Sequence, residues 1–269
     1  MRGETTKVER DIFAFSYVPA ATYANLAKLA NAENWGSDYS ILKSYIRNLY
    51  KRISQKLNSA NAGLPLITAS ADGECVCFDT GLYTDVYERI FAYFEKNLNQ
   101  GKQPWCLKGY YRENDKMMSC FSSLPTRVIF YDDPADLVFD SRLEINVNYD
   151  HILGDPENVN RFPKSLQGDE KKSDRYRVFK GSVDEAKKRV TANYMLAVPQ
   201  FFTDKNSDTG RVQLLIPLCL EGDNPDLALT VERGENAYSA RTCLTLKMAY
   251  NNARLINKPE AQWLALPTK

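Results

Sequence analysis

The chain has 269 residues, of which 43% are hydrophobic and 12% aromatic, and its formal net charge is +1. This apolar content suffices for a large core without disulfide or metal staples, and the balanced charge excludes an electrostatic argument for the chain as a whole. No apolar run approaches the roughly 18–20 residues that span a bilayer, and residues 1–11 lack the apolar stretch of a signal peptide. We therefore expect a cytoplasmic protein.

Five helices are predicted from apolar residues spaced at i, i+3, i+4 and i+7 and from capping signals. Pro19 fits the first turn of the first helix, and Asp85 with Glu88 resembles a capping box at the start of the third. The fourth helix follows the Gly181-Ser182 pair. The predicted helices cover residues 19–32, 38–57, 85–98, 183–194 and 248–256.

Short strands are predicted between the helices, at residues 64–69, 74–79, 105–110, 127–131, 137–140, 196–202, 211–218, 227–232 and 238–246. Asp72-Gly73 indicates a tight hairpin, and strands joined by short turns are antiparallel. The sequence therefore predicts an α+β fold, a mostly antiparallel sheet with helices packed on it. We expect a single domain over residues 13–265 after a disordered segment or linker over residues 1–12. An alternative is a helical N-terminal layer over residues 13–100 within that domain.

The predicted second helix carries the clearest charge signal. No acidic residue occurs over residues 39–71, and three of the cations there recur every four residues, which places them on one helix face. Such a row favours binding to a phosphate backbone, and Tyr39 and Tyr50 are candidates for stacking on bases. The alternative is a solvated face whose charges pair with acids elsewhere. The candidate phosphate-binding residues of this helix are Lys43, Arg47, Lys51 and Arg52.

A second basic stretch covers residues 164–189, with nine lysines and arginines against five acids. Lys180-Gly181-Ser182 offers free amides and a cation at a helix start, which suits a bound anion. The alternative is structural, because Asp184 and Glu185 in a first turn stabilise the helix dipole without a ligand. The candidate anion-binding residues are Lys180, Lys187, Lys188 and Arg189.

Polar and apolar residues alternate from Arg142 to His151, which is typical of a strand with one polar face. That face ends at Asp150 and the sole histidine, His151, a candidate general acid or base near neutral pH. The alternative is a solvent-facing strand with a histidine in a turn. Near the C-terminus, amides and a guanidinium are suited to contact a base or a phosphate, namely those of Asn251, Asn252 and Arg254. The candidate catalytic residues are His151, Asp150 and Arg254.

No cofactor is predicted. Four carboxylates are close enough in sequence to suggest magnesium as the alternative, although Asp-Asp-Pro is also typical of a turn: Asp132, Asp133, Asp136 and Asp140. The six cysteines form no Cys-x-x-Cys pair and lie far from the histidine in sequence. We expect them to be reduced core thiols rather than zinc ligands.

Several segments resemble one uncharacterised bacterial family, known only as a domain of unknown function. They are Leu26–Trp35, Phe78–Leu82, Trp105–Gly109, Asn148–Leu153, Leu196–Gln200, Leu215–Leu220 and Met248–Ile256. The resemblance extends from about residue 13 to residue 264. It implies no catalytic residue, but it implies a context of RNA biology, since some members of the family are attached to RNA-binding modules of the LOTUS (OST-HTH) or OB type.

Three functions remain open from the sequence. The first is an RNA- or nucleotide-binding domain of a bacterial RNA-associated protein. The second is an enzyme acting on RNA or a nucleotide phosphate (a phosphodiesterase, nuclease or transferase) that uses His151. The third is a protein-interaction scaffold. Because the sequence contains no recognised nucleophile–base spacing, metal motif or glycine-rich phosphate loop, we expect the binding domain, with RNA or a nucleotide as partner and no membrane.

Overall fold

The structure is a computed structural model that describes residues 8–59, 64–99, 101–203 and 210–264. By their internal contacts the residues group into two compact units, one ending at Ile129 (unit 1) and one beginning at Phe130 (unit 2). The single domain expected over residues 13–265 stays a prediction. Of the linker expected over residues 1–12, residues 1–7 lie outside the described residues, and so do residues 204–209.

Unit 1 begins with three helices: α1 (Ile12–Phe15), α2 (Ala21–Leu29) and α3 (Ser40–Leu57). The helices predicted over residues 19–32 and 38–57 are therefore confirmed, with shorter ends. The helix α3 forms because its apolar residues recur at helical spacing and bury one face: Ile41, Leu42, Tyr45, Ile46, Leu49 and Ile53. Just before α3, Asp38 and Tyr39 have left-handed φ angles of 50° and 54°, an uncommon conformation for residues other than glycine.

The strands of unit 1 are β1 (Ser16–Tyr17), β2 (Thr68–Ala69), β3 (Cys75–Tyr83), β4 (Arg89–Lys96) and β5 (Trp105–Arg112). They form one sheet in the order β1-β5-β4-β3-β2. All neighbours are antiparallel except β1 and β5, which are parallel. Gly73, with a φ of 71°, supplies the left-handed residue in the predicted turn between β2 and β3.

The third predicted helix, over residues 85–98, is wrong, because β4 occupies most of that segment. Ile90, Phe91 and Phe94 do recur at helical spacing, but every residue from Ile90 to Phe94 is buried. A strand covered on both faces reads as a continuous apolar run, which periodicity alone does not distinguish from a buried helix. Pairing with β3 on one side and β5 on the other stabilises the extended form. The N-terminal layer over residues 13–100 is therefore not purely helical.

Unit 2 contains a second sheet of β6 (Glu144–Val147), β7 (Val198–Thr203), β8 (Gly210–Leu218), β9 (Leu227–Arg233) and β10 (Ala237–Thr245). Its order is β6-β10-β9-β8-β7, with β6 and β10 parallel and the other neighbours antiparallel. The two sheets thus follow the same path: in each, a first strand is followed by helices and a four-stranded meander, and it pairs in parallel with the last strand.

The helices of unit 2 are α4 (Tyr149–Gly154), α5 (Pro156–Val159), α6 (Lys172–Ala192) and α7 (Leu246–Ala253). The helix α6 packs Phe179, Val183 and Val190 against one face of the sheet, where Leu214 and Val231 complete the core. The predicted α+β class, with mostly antiparallel strands, is confirmed. None of the helices that the structure describes is long and apolar enough to cross a membrane.

Three local predictions in unit 2 need correction. The fourth helix does not begin after Gly181 but at Lys172, because packing of its apolar stripe outweighs the low helix propensity of glycine. The strand expected over residues 142–151 ends at Val147, since the Asn148 side chain accepts a hydrogen bond from the His151 amide (3.0 Å) and starts α4. Residues 127–131 and 137–140, all described, form no strand.

Candidate nucleic-acid interface

Lys43, Arg47 and Lys51, here called the basic row, lie along one face of α3 in unit 1. The side chain of Lys43 is 34% exposed and that of Arg47 is 58% exposed. The apolar stripe of α3 is buried on a different arc, so the row remains at the surface. Residues four apart are separated by about 6 Å along a helix axis, which lets successive cations meet successive phosphates of a strand.

The basic row forms one wall of an open groove of about 560 Å³, here called the basic groove. Phe13 of α1, which is 45% exposed, lines this groove. The lining contains four cations and one carboxylate, so its formal charge is positive. The lining residues are Arg10, Asp11, Phe13, Lys43, Ser44, Arg47, Asn48 and Lys51.

Ion pairs offset part of this charge. Arg47 Nη2 lies 2.6 Å from Asp11 Oδ2, and Lys43 Nζ lies 2.6 Å from Asp38 Oδ2. The other carboxylate oxygen of Asp11 accepts a hydrogen bond from the Phe13 amide (3.1 Å), so Asp11 also caps α1. Lys51 has no ion-pair partner within the part of the chain that the structure describes. Both pairs are solvent-accessible, which makes them weak and salt-sensitive.

Two aromatic rings lie beside these cations. The Arg47 guanidinium carbon is 5.7 Å from the centroid of the Phe13 ring, and Lys43 Nζ is 5.8 Å from that of Tyr23. Both distances fall within the range of cation–π attraction. Tyr23 is 3% exposed. Burial raises the pKa of its phenol, and the nearby positive charge of Arg47 lowers it by a smaller amount. The exposed Phe13 ring is the one available to stack on a base.

Arg52 and the two candidate tyrosines do not extend the basic row. Arg52 is 8% exposed because its position falls between the buried Leu49 and Ile53 on the apolar side of α3. Tyr50 is fully buried, and burial together with nearby carboxylates raises the pKa of its phenol. It therefore has no free face for a base. Tyr39 is half-buried at the start of α3.

The candidate cations of α6 in unit 2 do not form a comparable row. Lys180 and Lys188 are exposed on α6. Arg189 lies 3.9 Å from Glu185 and donates to the Cys219 sulfur at 3.5 Å. Because Gly181 is in the middle of α6, its amide is used within the helix and offers no free anion-binding N–H. Lys187, the fourth of these candidates, is half-buried.

A chain of polar side chains crosses β7, β8 and β9, and sequence reasoning missed it. Asn252 of α7 donates to Gln200 Oε1 (3.0 Å), and Gln200 donates to Gln213 Oε1 (3.1 Å). Gln213 donates to Glu232 Oε2 (3.3 Å), which lies 3.0 Å from Arg211 Nε. The sequence signal that could have revealed this chain is a glutamine in each of two largely apolar strands, Gln200 in β7 and Gln213 in β8. Asn252 is therefore committed to this chain, on the sheet face opposite the core that α6 covers.

The structure does not bring the candidate catalytic residues together. Asp150 and His151 are exposed on α4, whose Ile152 packs into the core cluster on the face that α6 covers. Arg254 follows α7, which lies on the opposite face, and it is 7% exposed. Asn251, also on α7, is half-buried, and its Oδ1 has no hydrogen-bond partner in the part of the chain described.

The candidate magnesium ligands serve local structure. Asp133 Oδ1 accepts a hydrogen bond from the Ala135 amide (2.9 Å) and caps a 3₁₀ turn over Pro134–Leu137. Hydrogen bonds from Arg142 hold the pKa of Asp140 well below its usual range. Within the described ranges, no group of three or more His, Cys, Asp or Glu side chains is placed to hold a metal ion. The Asp132-Asp133-Pro134 segment thus starts a turn, as the sequence alternative suggested, and Asp136 lies within that turn.

Unit 2 has a larger open groove, of about 1160 Å³, beside the edge strand β7. Trp263 lines it and is fixed by a hydrogen bond from its indole N–H to the Leu196 carbonyl (2.9 Å). Charges of both signs line the groove: Arg189, Lys258, Asp223 and Glu260. Although this groove has twice the volume, its mixed charge suits a polyanion less well than the basic groove does.

Sequence reasoning found the basic row but missed the other side of the basic groove. Asp11 and Arg47 are 36 positions apart, and only tertiary packing of α1 near α3 brings them together. No local pattern indicates that Arg10 and Phe13 join the row. The absence of acids over residues 39–71 also did not predict that Asp11 and Asp38, which lie outside that range, would form ion pairs with the basic row.

The chain belongs to the DUF3825 family, described as a domain of unknown function, whose model matches residues 26–263. The resemblance inferred from the sequence is thereby confirmed, whereas attachment of members to RNA-binding modules stays a prediction. No curated protein and no solved structure gives a significant match to the chain. A functional argument therefore depends on the geometry of the chain itself.

Proposed function

We propose that this chain is an RNA-binding module that holds a single-stranded RNA backbone in the basic groove. One observation carries the proposal: the three cations of the basic row and Arg10 line a single open groove together with an exposed aromatic ring. Proteins that bind single strands combine these two features, a positive groove along the backbone and aromatic platforms for bases.

The existing ion pairs are compatible with this role. Exposed ion pairs contribute only about 0–1 kcal/mol, so a phosphate that approaches Arg47 or Lys43 replaces a weak partner with another anion. Lys51 contributes its charge without first releasing a carboxylate of the described residues. The planar guanidinium of Arg47 suits two phosphate oxygens at once.

The enzyme alternative has less support from the geometry. Its candidate acid or base, His151, is exposed on α4, and Arg254 is buried after α7 on the other sheet face. A reaction at phosphate requires both groups to reach the same atoms. A binding role needs only the surface that the basic groove provides.

The test measures binding of a labelled single-stranded oligouridylate to the full chain over a series of salt concentrations. In the row variant, Lys43→Glu, Arg47→Glu and Lys51→Glu are combined. In the matched control, three exposed lysines outside the groove undergo the same change of charge: Lys28→Glu, Lys102→Glu and Lys247→Glu. Circular dichroism checks that both variants remain folded.

We expect the affinity of the natural chain to fall steeply with salt. Each phosphate contact contributes about 0.7 to the slope of log affinity against log salt for a single strand. If the row variant loses its contacts with three phosphates, its slope becomes shallower by about 2, whereas the slope of the control stays nearly unchanged. Equal losses in both variants would show that only net charge matters. Absence of binding to the oligouridylate at low salt would overturn the proposal, and equal competition by single-stranded DNA would widen it to nucleic acid in general.

A further inference from the structure

Two uncharged polar side chains, those of Ser44 and Asn48, lie beside the basic row in the basic groove. Ser44 directly follows Lys43 in the sequence, and Asn48 directly follows Arg47. Because consecutive residues of a helix are about 100° apart around its axis, the two residues form a second row along α3, next to the cations. They are four positions apart, so they are neighbours on the helix surface. Ser44 and Asn48 are here called the polar pair.

Hydrogen bonds within the polar pair fix the orientation of the Asn48 amide. Asn48 Nδ2 donates to the Ser44 carbonyl oxygen (2.9 Å) and to Ser44 Oγ (3.3 Å). Ser44 Oγ is therefore an acceptor towards Asn48, which leaves its O–H to donate elsewhere. Among the described residues, no group donates to Asn48 Oδ1 and none accepts from the Ser44 O–H. The polar pair thus offers one acceptor and one donor to a ligand in the groove.

The position of the polar pair matches that of the sugar in a bound strand. In the proposed function, phosphates lie along the basic row and a base stacks on Phe13, which belongs to α1 on the other side of the groove. The ribose joins phosphate to base in every nucleotide, so it lies between these two sets of contacts. Asn48 is exposed and Ser44 is half-buried, so both are accessible to a sugar in the groove.

A ribose 2′-hydroxyl fits the free groups of the polar pair. This hydroxyl is both a donor and an acceptor, and it is the group that lets a protein distinguish RNA from DNA. The Ser44 O–H is suited to donate to the 2′-oxygen, while the 2′-O–H donates to Asn48 Oδ1. The cations of the basic row do not make this distinction, because RNA and DNA present the same phosphates.

We propose that the polar pair recognises the 2′-hydroxyl of a bound ribose and so makes the basic groove selective for RNA over DNA. This inference rests on the proposed function, since it requires a strand in the groove. Both free groups are hydrated in the unbound chain, so each new hydrogen bond brings only a modest gain over water. Two such hydrogen bonds correspond to about a tenfold preference for RNA at one nucleotide.

The test compares three labelled probes of the same length and base that differ only at the 2′ position: oligouridylate, oligodeoxyuridylate and 2′-O-methyl oligouridylate. The first probe has the whole hydroxyl and the second has none. The third keeps the 2′-oxygen and an RNA-like sugar pucker but has lost the donor. Affinities for the full chain are measured over a series of salt concentrations. We expect the natural chain to bind oligouridylate about tenfold more tightly than either of the other probes.

The pair variant combines Ser44→Ala with Asn48→Ala, which retain every charge of the basic groove and introduce a good helix former. We expect this variant to bind all three probes equally, about as tightly as the natural chain binds oligodeoxyuridylate, with an unchanged salt slope. The matched control combines Ser173→Ala with Thr191→Ala, which remove two exposed hydroxyls of α6 and should leave the preference for RNA intact. Circular dichroism confirms that both variants are folded.

The contrary results separate this inference from the proposed function. If the natural chain binds all three probes equally, or binds the 2′-O-methyl probe as tightly as oligouridylate, the inference is wrong while the proposed function stands. A preference for RNA that persists in the pair variant also overturns the inference, because other residues then make the distinction. Absence of binding to every probe at low salt overturns the proposed function and this inference with it.

Discussion

Replacing Gly181 by alanine is expected to stabilise unit 2. Gly181 lies in the middle of α6 with no left-handed φ, and a Cβ added there meets no atom within 4 Å. In an exposed helix interior, alanine is more favourable than glycine by about 1 kcal/mol, because glycine loses more backbone entropy on folding. For a unit of this size, that free energy corresponds to a rise in melting temperature of about 2–4 °C.

The assay is thermal unfolding followed by circular dichroism and calorimetry, with Gly73→Ala as the matched control. Gly73 also has open space around its missing Cβ, but its φ is 71°, so alanine is strained there and is expected to cost about 1–2 kcal/mol. The two substitutions add the same methyl group and should shift stability in opposite directions. A neutral or destabilising effect of Gly181→Ala would refute the continuous helix over Lys172–Ala192 and favour a helix that begins after Gly181, as the sequence suggested.

Three further outcomes follow from the structure. Asp79→Ala should destabilise unit 1 by about 3 kcal/mol in urea unfolding, because Asp79 is 2% exposed and pairs with Arg89 at 2.7 Å, although the Arg89 side chain is 31% exposed. Gln200→Leu should cost about 2 kcal/mol in the same assay, because Asn252 then loses the acceptor of its amide. Iodoacetamide should label Cys120 with an alkaline midpoint above that of an ordinary thiol, since partial desolvation and the adjacent thiol raise its pKa.

Controls separate these effects from general damage. Lys96→Ala removes an exposed ion pair, with side chains 51% and 57% exposed, and should change stability by less than about 1 kcal/mol. An equally small effect of Asp79→Ala would show that the buried pair is not important. Cys75→Ser should lower the labelling midpoint of Cys120, whose other ionisable neighbours are Cys77, Tyr93 and Asp72. An unchanged midpoint would contradict the expected contribution of Cys75 to the raised pKa of Cys120.

Sequence reasoning worked where local and tertiary preferences agree. The helix α3 has both the right spacing of apolar residues and good helix formers, and the hairpin between β2 and β3 has Asp72-Gly73 at its turn. It failed at β4, whose burial on both faces removes the alternation that identifies a strand. It also placed the start of α6 eleven positions late, after Gly181 and Ser182, because the packing of Phe179 and Val183 lets the helix continue through the glycine.

The candidate site was predictable only on one side. The basic row follows from residue spacing within a single helix, so the sequence alone identifies Lys43, Arg47 and Lys51. Its partners Asp11 and Phe13 reach it through packing between distant segments, which a linear pattern does not encode.

In each sheet the first and last strands of the unit are paired in parallel. Ser16 is opposite Trp105 in unit 1, and Glu144 is opposite Ala237 in unit 2. Such pairs raise the contact order, because nearly the whole unit must be ordered before the loop between the two strands is closed. We expect the four-stranded meanders to form early in folding and the parallel pairs to lock last, on a slower timescale. The strands β1 and β6 come first in their units but pair with the last strands, β5 and β10. A nascent chain on the ribosome therefore cannot complete either sheet until β5 or β10 has been synthesised.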